Sequence, residues 1–142
     1  MKYMLMVLSK QSDYDLMAGR SGETPWTKEA VKAMVDYMGA LNDDLAEAGE
    51  LIDAQGLTEP AQAKLVTVKD GQVVVTDGPY GETKEEIAGY WLIDVDSEKR
   101  ALEIAERAAR CPIPAGVPDY PVVLRPVADA PPEPQDWPEA TA

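Results

Sequence analysis

The run Lys64-Leu65-Val66-Thr67-Val68-Lys69-Asp70-Gly71-Gln72-Val73-Val74-Val75-Thr76 carries the strongest local signal in the chain. Asp-Gly between two β-branched runs predicts a tight β-hairpin, because both turn positions need backbone angles that Gly and Asp tolerate. Such a hairpin closes on itself, so the rest of the chain can be read around it. Before it, residues 3–9 read as a buried strand, and residues 10–24 as a mobile polar loop with Gly19 and Gly22 flanking Arg20 and Ser21. Thr24-Pro25 then looks like a helix start, with Thr24 as N-cap and Pro25 at the first helical position. Val31, Met34, Val35, Met38, Leu41 and Leu45 form an apolar stripe at spacings of three and four. Gly49 closes this helix, predicted at about 24 residues. Leu51, Ile52 and Ala54 begin a second strand.

After the hairpin comes a polar turn segment over residues 77–86, then a strand from Ile87 to Val95. Ser97 caps a second helix that Pro112 ends, and residues 121–127 form a last strand. The order is β-α-β-(ββ)-β-α-β. Setting the hairpin aside leaves βαββαβ, the ferredoxin-like α+β arrangement. Two helices cover one sheet face and leave the other bare. Val73, Val74 and Val75 run consecutively, so both faces of that strand want cover. A second copy of the chain would supply it, which predicts a homodimer.

Composition bounds the chemistry. The 142 residues make one domain, with 26 acids, 13 bases and a net charge of -13. The absence of histidine excludes Ser-His-Asp and Cys-His catalysis, His-ligated metals and an imidazole base. One cysteine makes neither an internal disulfide nor a multi-Cys zinc site. Acidity argues against nucleic acid or anionic membrane as partners. The apolar run Met4-Leu5-Met6-Val7-Leu8 is too short for a membrane span or signal core, so the expected location is the cytoplasm. Residues 129–142 hold four prolines and four acids with no base, an extended or disordered tail in which Trp137 is the one large apolar group. Residues 1–128 then form the folded domain. Cys111 reads as a small buried residue closing the second helix. Asp43-Asp44 read as helix surface, and Asp94 and Asp96 as residues leading into the Ser97 cap. Asp13 and Asp15 could join a hard-metal site, but nothing fixes their spacing to a ligand set. No nucleotide-binding glycine fingerprint or calcium loop occurs.

Val75-Thr76-Asp77-Gly78-Pro79-Tyr80-Gly81-Glu82-Thr83-Lys84-Glu85 resembles the signature of the DGPF-type branch of the YCII-related family, with Tyr80 for the usual Phe and Gly81 for the usual Ala. The opening Met1 to Met6, Ile87 to Ile93, Cys111-Pro112 and Val123 to Val127 are similar to it too. The resemblance implies a ferredoxin-like domain pairing as a dimeric α/β barrel. Such barrels include muconolactone isomerase and cofactor-free monooxygenases, which implies a small-molecule-binding or isomerase/lyase-like protein with no cofactor and no metal. DGPF-type chains are also similar to segments associated with extracytoplasmic-function sigma factors, which implies instead a non-catalytic regulatory protein. The wider family's proposed catalytic His-Asp pair has no counterpart here, for want of His.

Within the motif, Asp77-Gly78-Pro79 suits a turn, with Asp and Gly at positive φ. Asp77 is also the candidate general acid or base, if partial burial beside the sheet raises its pKa. Tyr80, Glu82, Thr83 and Lys84 are candidate substrate contacts, with Lys84 as a cation for an anionic ligand and solvent-facing ion pairing as its alternative. Tyr90 and Trp91 face opposite sides of their strand, one toward the helices and one toward a dimer cavity. Arg125 could hold an anion at the end of the last strand or form a surface salt bridge.

Overall fold

The computed structural model describes residues 1–78 and 84–140. Strand β1 (Lys2–Ser9) is followed by helices α1 (Gln11–Met17) and α2 (Lys28–Glu47), then β2 (Leu51–Gly56). The hairpin is β3 (Lys64–Lys69) and β4 (Gln72–Asp77). Strand β5 (Glu86–Asp94), helix α3 (Glu98–Ala109) and β6 (Val123–Pro126) complete the domain. The main sheet has the order β2-β5-β1-β6, all antiparallel, and β3-β4 form a separate ribbon. With the ribbon set aside, this is the ferredoxin-like α+β order expected from the sequence.

Alternation along the strands sorts residues between two faces. Tyr3 and Leu5 of β1, Trp91 and Ile93 of β5, Leu41 and Leu45 of α2, and Ala101, Ile104 and Ala108 of α3 are buried in one core. Both long helices therefore lie on one face. Met4, Met6, Tyr90, Leu92, Val123 and Arg125 fall on the other, where Met4 stands opposite both Leu92 and Arg125, and Met6 opposite both Tyr90 and Val123. Neither long helix covers it.

Two bulges interrupt β5's pairing, between Val7 and Leu8 on one side and between Leu51 and Asp53 on the other. The second turns Ile52 outward to 46% exposure. Arg100 of α3 grips Glu50, just ahead of β2, through two bonds of 2.9 and 2.8 Å.

The hairpin closes as expected: Asp70 and Gly71 have φ of 51° and 78°, the turn that matches strand twist. Its pairing also sharpens the three-valine run. Val66 opposes Val75 and Val68 opposes Val73, so these four share one face, while Val74 opposes Thr67 on the other. The four are between 59% and 68% exposed. The ribbon thus has one valine-rich face, with the Lys64–Asp77 ion pair at its open end, rather than two apolar faces.

Three expectations are corrected. Residues 11–17 are helical rather than loop, because the Asp13 carboxylate accepts the Lys10 N–H at 2.7 Å and Gln11 donates to Asp15 at 3.1 Å. The long helix starts three residues later than predicted. Thr27, not Thr24, accepts the Ala30 N–H at 3.1 Å, while Thr24 accepts from Trp26 in a local turn ahead of it. That helix has 20 residues. The final strand is only Val123–Pro126, since Pro121 has no N–H to give a ladder. Gly49 (φ 72°) and Ser97, which accepts from Arg100 N, end and cap their helices as read. Residues 128–140 are all exposed.

Candidate functional site

The apolar stripe of α2 has two jobs. Its C-terminal half, Leu41 and Leu45, is core, while Met34, Val35 and Met38 wall a cavity of about 600 Å³. Strand β1 supplies Val7, Leu8 and Ser9 to this cavity, α1 supplies Asp13, Tyr14 and Met17, and the segment after α3 supplies Ile113, Val117 and Tyr120. The β1–β5 bulge lies in its wall, at Val7, Leu8, Ala88 and Gly89. This volume lies inside the 300–1,000 Å³ range of small-molecule sites, and the mixture of an apolar wall with a few fixed polar groups is their usual make-up.

The polar groups are held in place. Asp13 Oδ2 accepts from Lys10 N at 2.7 Å and from the Tyr120 hydroxyl at 2.8 Å, with the Ser9 hydroxyl at 3.4 Å. The Lys10 ammonium sits 5.9 Å from the Tyr120 ring centre. Burial pushes the Tyr120 phenol up to about 12, and the Asp13 and Glu85 carboxylates add to the shift. Tyr120 therefore keeps its proton at neutral pH. Tyr14 donates to the Leu57 carbonyl at 3.2 Å, and burial followed by the Glu59 charge raises its pKa. Trp91 Nε1 donates to Asn42 Oδ1 at 2.6 Å, which fixes the indole in the wall.

Of the described residues singled out from the sequence, Trp91 and Tyr90 border this cavity, and Asp77, Lys84 and Arg125 do not. Asp77 ends β4 with its side chain 83% exposed, in an ion pair with Lys64. That pairing lowers its pKa, so the partial burial that would raise it is absent within one copy. Gly78 does not adopt positive φ. It is needed because its N–H reaches the Ala63 carbonyl at 2.6 Å and a Cβ would stand 2.8 Å from Ala63 Cβ. Tyr80, Glu82 and Thr83 lie outside the described residues. Lys84 is exposed, 4.0 Å from Glu86. Trp91 faces the helices and the cavity. Tyr90 faces the opposite side, and its hydroxyl donates to Asp53 at 2.9 Å. Arg125 is on that same outer face.

Asp13 reads in the sequence only beside Asp15 as part of a possible hard-metal site, which does not form among the described residues, and Tyr14, Trp26, Asn42 and Tyr120 carry no site signal there. They come from four segments whose proximity only the fold creates, and a seven-residue helix leaves little periodicity to read. Asp13 three residues after Lys10 was the one local clue, as a helix-capping carboxylate. Cys111 is half-buried, and burial alone raises its thiol pKa, consistent with a closing residue rather than a thiolate nucleophile. Among the described residues no group of three or more Asp, Glu or Cys gathers as a metal site, and no helix is long and apolar enough to cross a membrane.

A ferredoxin-like sheet with a pocket beside its helices is a scaffold shared by many small binding proteins and enzymes. The YCII-related domain matches residues 1–124, and the chain belongs to the YCII-related family. It is 34% identical over 80 residues to an uncharacterised protein of Rhizobium meliloti (strain 1021). The match takes in 56% of this chain and 64% of that relative, so it spans less than two thirds of the relative's length.

Proposed function

We propose that this chain is a small-molecule-binding protein of the cytoplasm whose ligand occupies the cavity between α1, α2 and the β1–β5 bulge. The observation that carries this reading is the cavity itself: about 600 Å³, apolar, with Asp13, Tyr120 and Asn42 already oriented by hydrogen bonds. Orientation before binding lowers the ordering cost of the complex. Isomerase- or lyase-like turnover in such a site would need a proton carrier, and Asp13 is the carboxylate in the wall. Asp77, held below its ordinary pKa, is poorly matched to proton transfer near neutral pH. Trp26 and Trp91 line the cavity, so a panel of neutral aromatic and aliphatic compounds is to be titrated against tryptophan emission and melting temperature. Binders should shift both in the wild type and lose affinity in Trp91→Phe. A panel that moves neither signal sinks the reading.

We further propose a homodimer in which the outer sheet face, with Tyr90 and Arg125, turns toward a second copy and becomes a barrel interior. A second cleft there would put Arg125 and Lys84 within reach of a ligand. The supporting observation is the four-valine face of the hairpin, since a lone two-stranded ribbon is marginal in water. That same face favours the second reading, a regulatory protein linked to extracytoplasmic-function sigma factors, in which the hairpin docks on another protein. Sedimentation separates them: a dimer near 30 kDa at micromolar concentration supports self-pairing, and a 15.4 kDa monomer favours the second.

A further inference from the structure

Five aromatic residues, Tyr14, Trp26, Tyr90, Trp91 and Tyr120, border the cavity, and Asp13 is the one charged residue in its wall among the described residues. Among the described residues no lysine or arginine lines it. The charges just outside are three negative, Asp15, Glu59 and Glu85, to two positive, Lys10 and Arg20, so together with Asp13 the surroundings sum to negative. Arg20 is already committed to Asp15 at 2.8 Å and Glu59 at 2.6 Å. Lys10 lies by the Tyr120 ring, outside the wall.

Two phenols act as internal reporters of this environment. Tyr120 and Tyr14 both hold their protons more tightly than a free tyrosine, each through burial first and carboxylates second. Burial disfavours an ion of either sign, but the carboxylate share of these shifts distinguishes them, opposing a ligand carboxylate or phosphate and favouring a cation. A positive charge also meets aromatic faces and a carboxylate in the wall. The three donors to Asp13 all reach Oδ2, and among the described residues none meets Oδ1.

Resting on the small-molecule reading above, we infer that the cavity takes a protonated organic amine with an apolar body, its ammonium at Asp13 and its body against Trp26, Trp91 and the α2 methionines. The chain's net charge of -13 adds a long-range pull on such cations at low salt.

Three probes of one size separate the classes: 2-phenylethylamine, 2-phenylethanol and phenylacetate, titrated calorimetrically into the full chain at neutral pH. The amine should bind at least about tenfold tighter than the acid, with the alcohol between them. Asp13→Asn should remove most of the amine's advantage while leaving the alcohol's affinity within about twofold. Glu85→Gln, an exposed change with no bearing on folding, should weaken the amine modestly and strengthen the acid. Phenylacetate binding as tightly as the amine, or the alcohol matching it, overturns the inference. So does binding of none of the three. In that last case the neutral-panel emission test still decides separately whether the cavity binds small molecules at all.

Discussion

Asp13 ties three places together through one oxygen: the start of α1, the end of β1 and the segment carrying Tyr120. Asp13→Ala should cost about 1–2 kcal/mol in urea unfolding, from a lost cap and a stranded phenol. Titrated by ultraviolet absorbance, Tyr120 should ionise near 12 in the wild type. It should fall toward 10 without reaching it in Asp13→Asn, because burial is the larger cause. Glu50 contributes to the acid limb of stability. Arg100 holds its carboxyl below the ordinary 4.5, so the stabilisation is complete above that value and is lost as pH falls through the lower folded value. Glu50→Gln should therefore flatten the decline of melting temperature below pH 4.5, with little change in slope above it. At Gly78, added bulk meets the Ala63 backbone at 2.6 Å, so Gly78→Ala should displace the base of the hairpin, visible as shifted amide resonances at Ala63 and Lys64.

At the scale of elements, the hairpin makes the sharpest test. Val66→Lys with Val73→Lys places two charges on the valine face while leaving the turn and the core untouched. The far-ultraviolet spectrum should hold, and any self-association should disappear in sedimentation. An unchanged dimer would clear the ribbon of that role. The hairpin, β1, β5 and both long helices were legible because each repeats a simple rule: alternation, a three-four stripe, Asp-Gly at a turn, Ser97 at a cap. Helix α1 was hidden for the opposite reason. With seven residues and none fully buried, it is held by side-chain bonds to its own first turn rather than by a periodic face. The start of α2 was misplaced because Thr24 and Thr27 are equally good caps locally, and the turn at Trp26 settles which one serves.

For the whole molecule, residues 1–128 carry 22 acids and 13 bases, so the acidity belongs partly to the tail and mostly to the domain. We propose that residues 129–142 add little to stability: a chain ending at 128 should melt within about 2 °C of the full one, roughly 0.5 kcal/mol or less. The cavity escaped the sequence for a reason of the same scale. Its wall draws on β1, α1, α2, β2, β5 and the segment before β6, and no local pattern announces where so many segments meet. The motif at residues 77–85 was legible as a family mark, but its described part works as a hairpin base and an exposed ion pair.

Strand β1 lies in the middle of the sheet, pairing Tyr3 with Ile93 on one side and with Pro126 on the other. Of the four strands in this sheet β1 is made before the others and β6 after them, so β1 waits for the last of them before it has both neighbours. Until then its Met4-to-Leu8 run keeps one unpaired edge, on the β6 side. Synthesis is therefore the period in which this chain is most exposed to misassembly, and slowing elongation late in the message should lengthen its time in the care of chaperones.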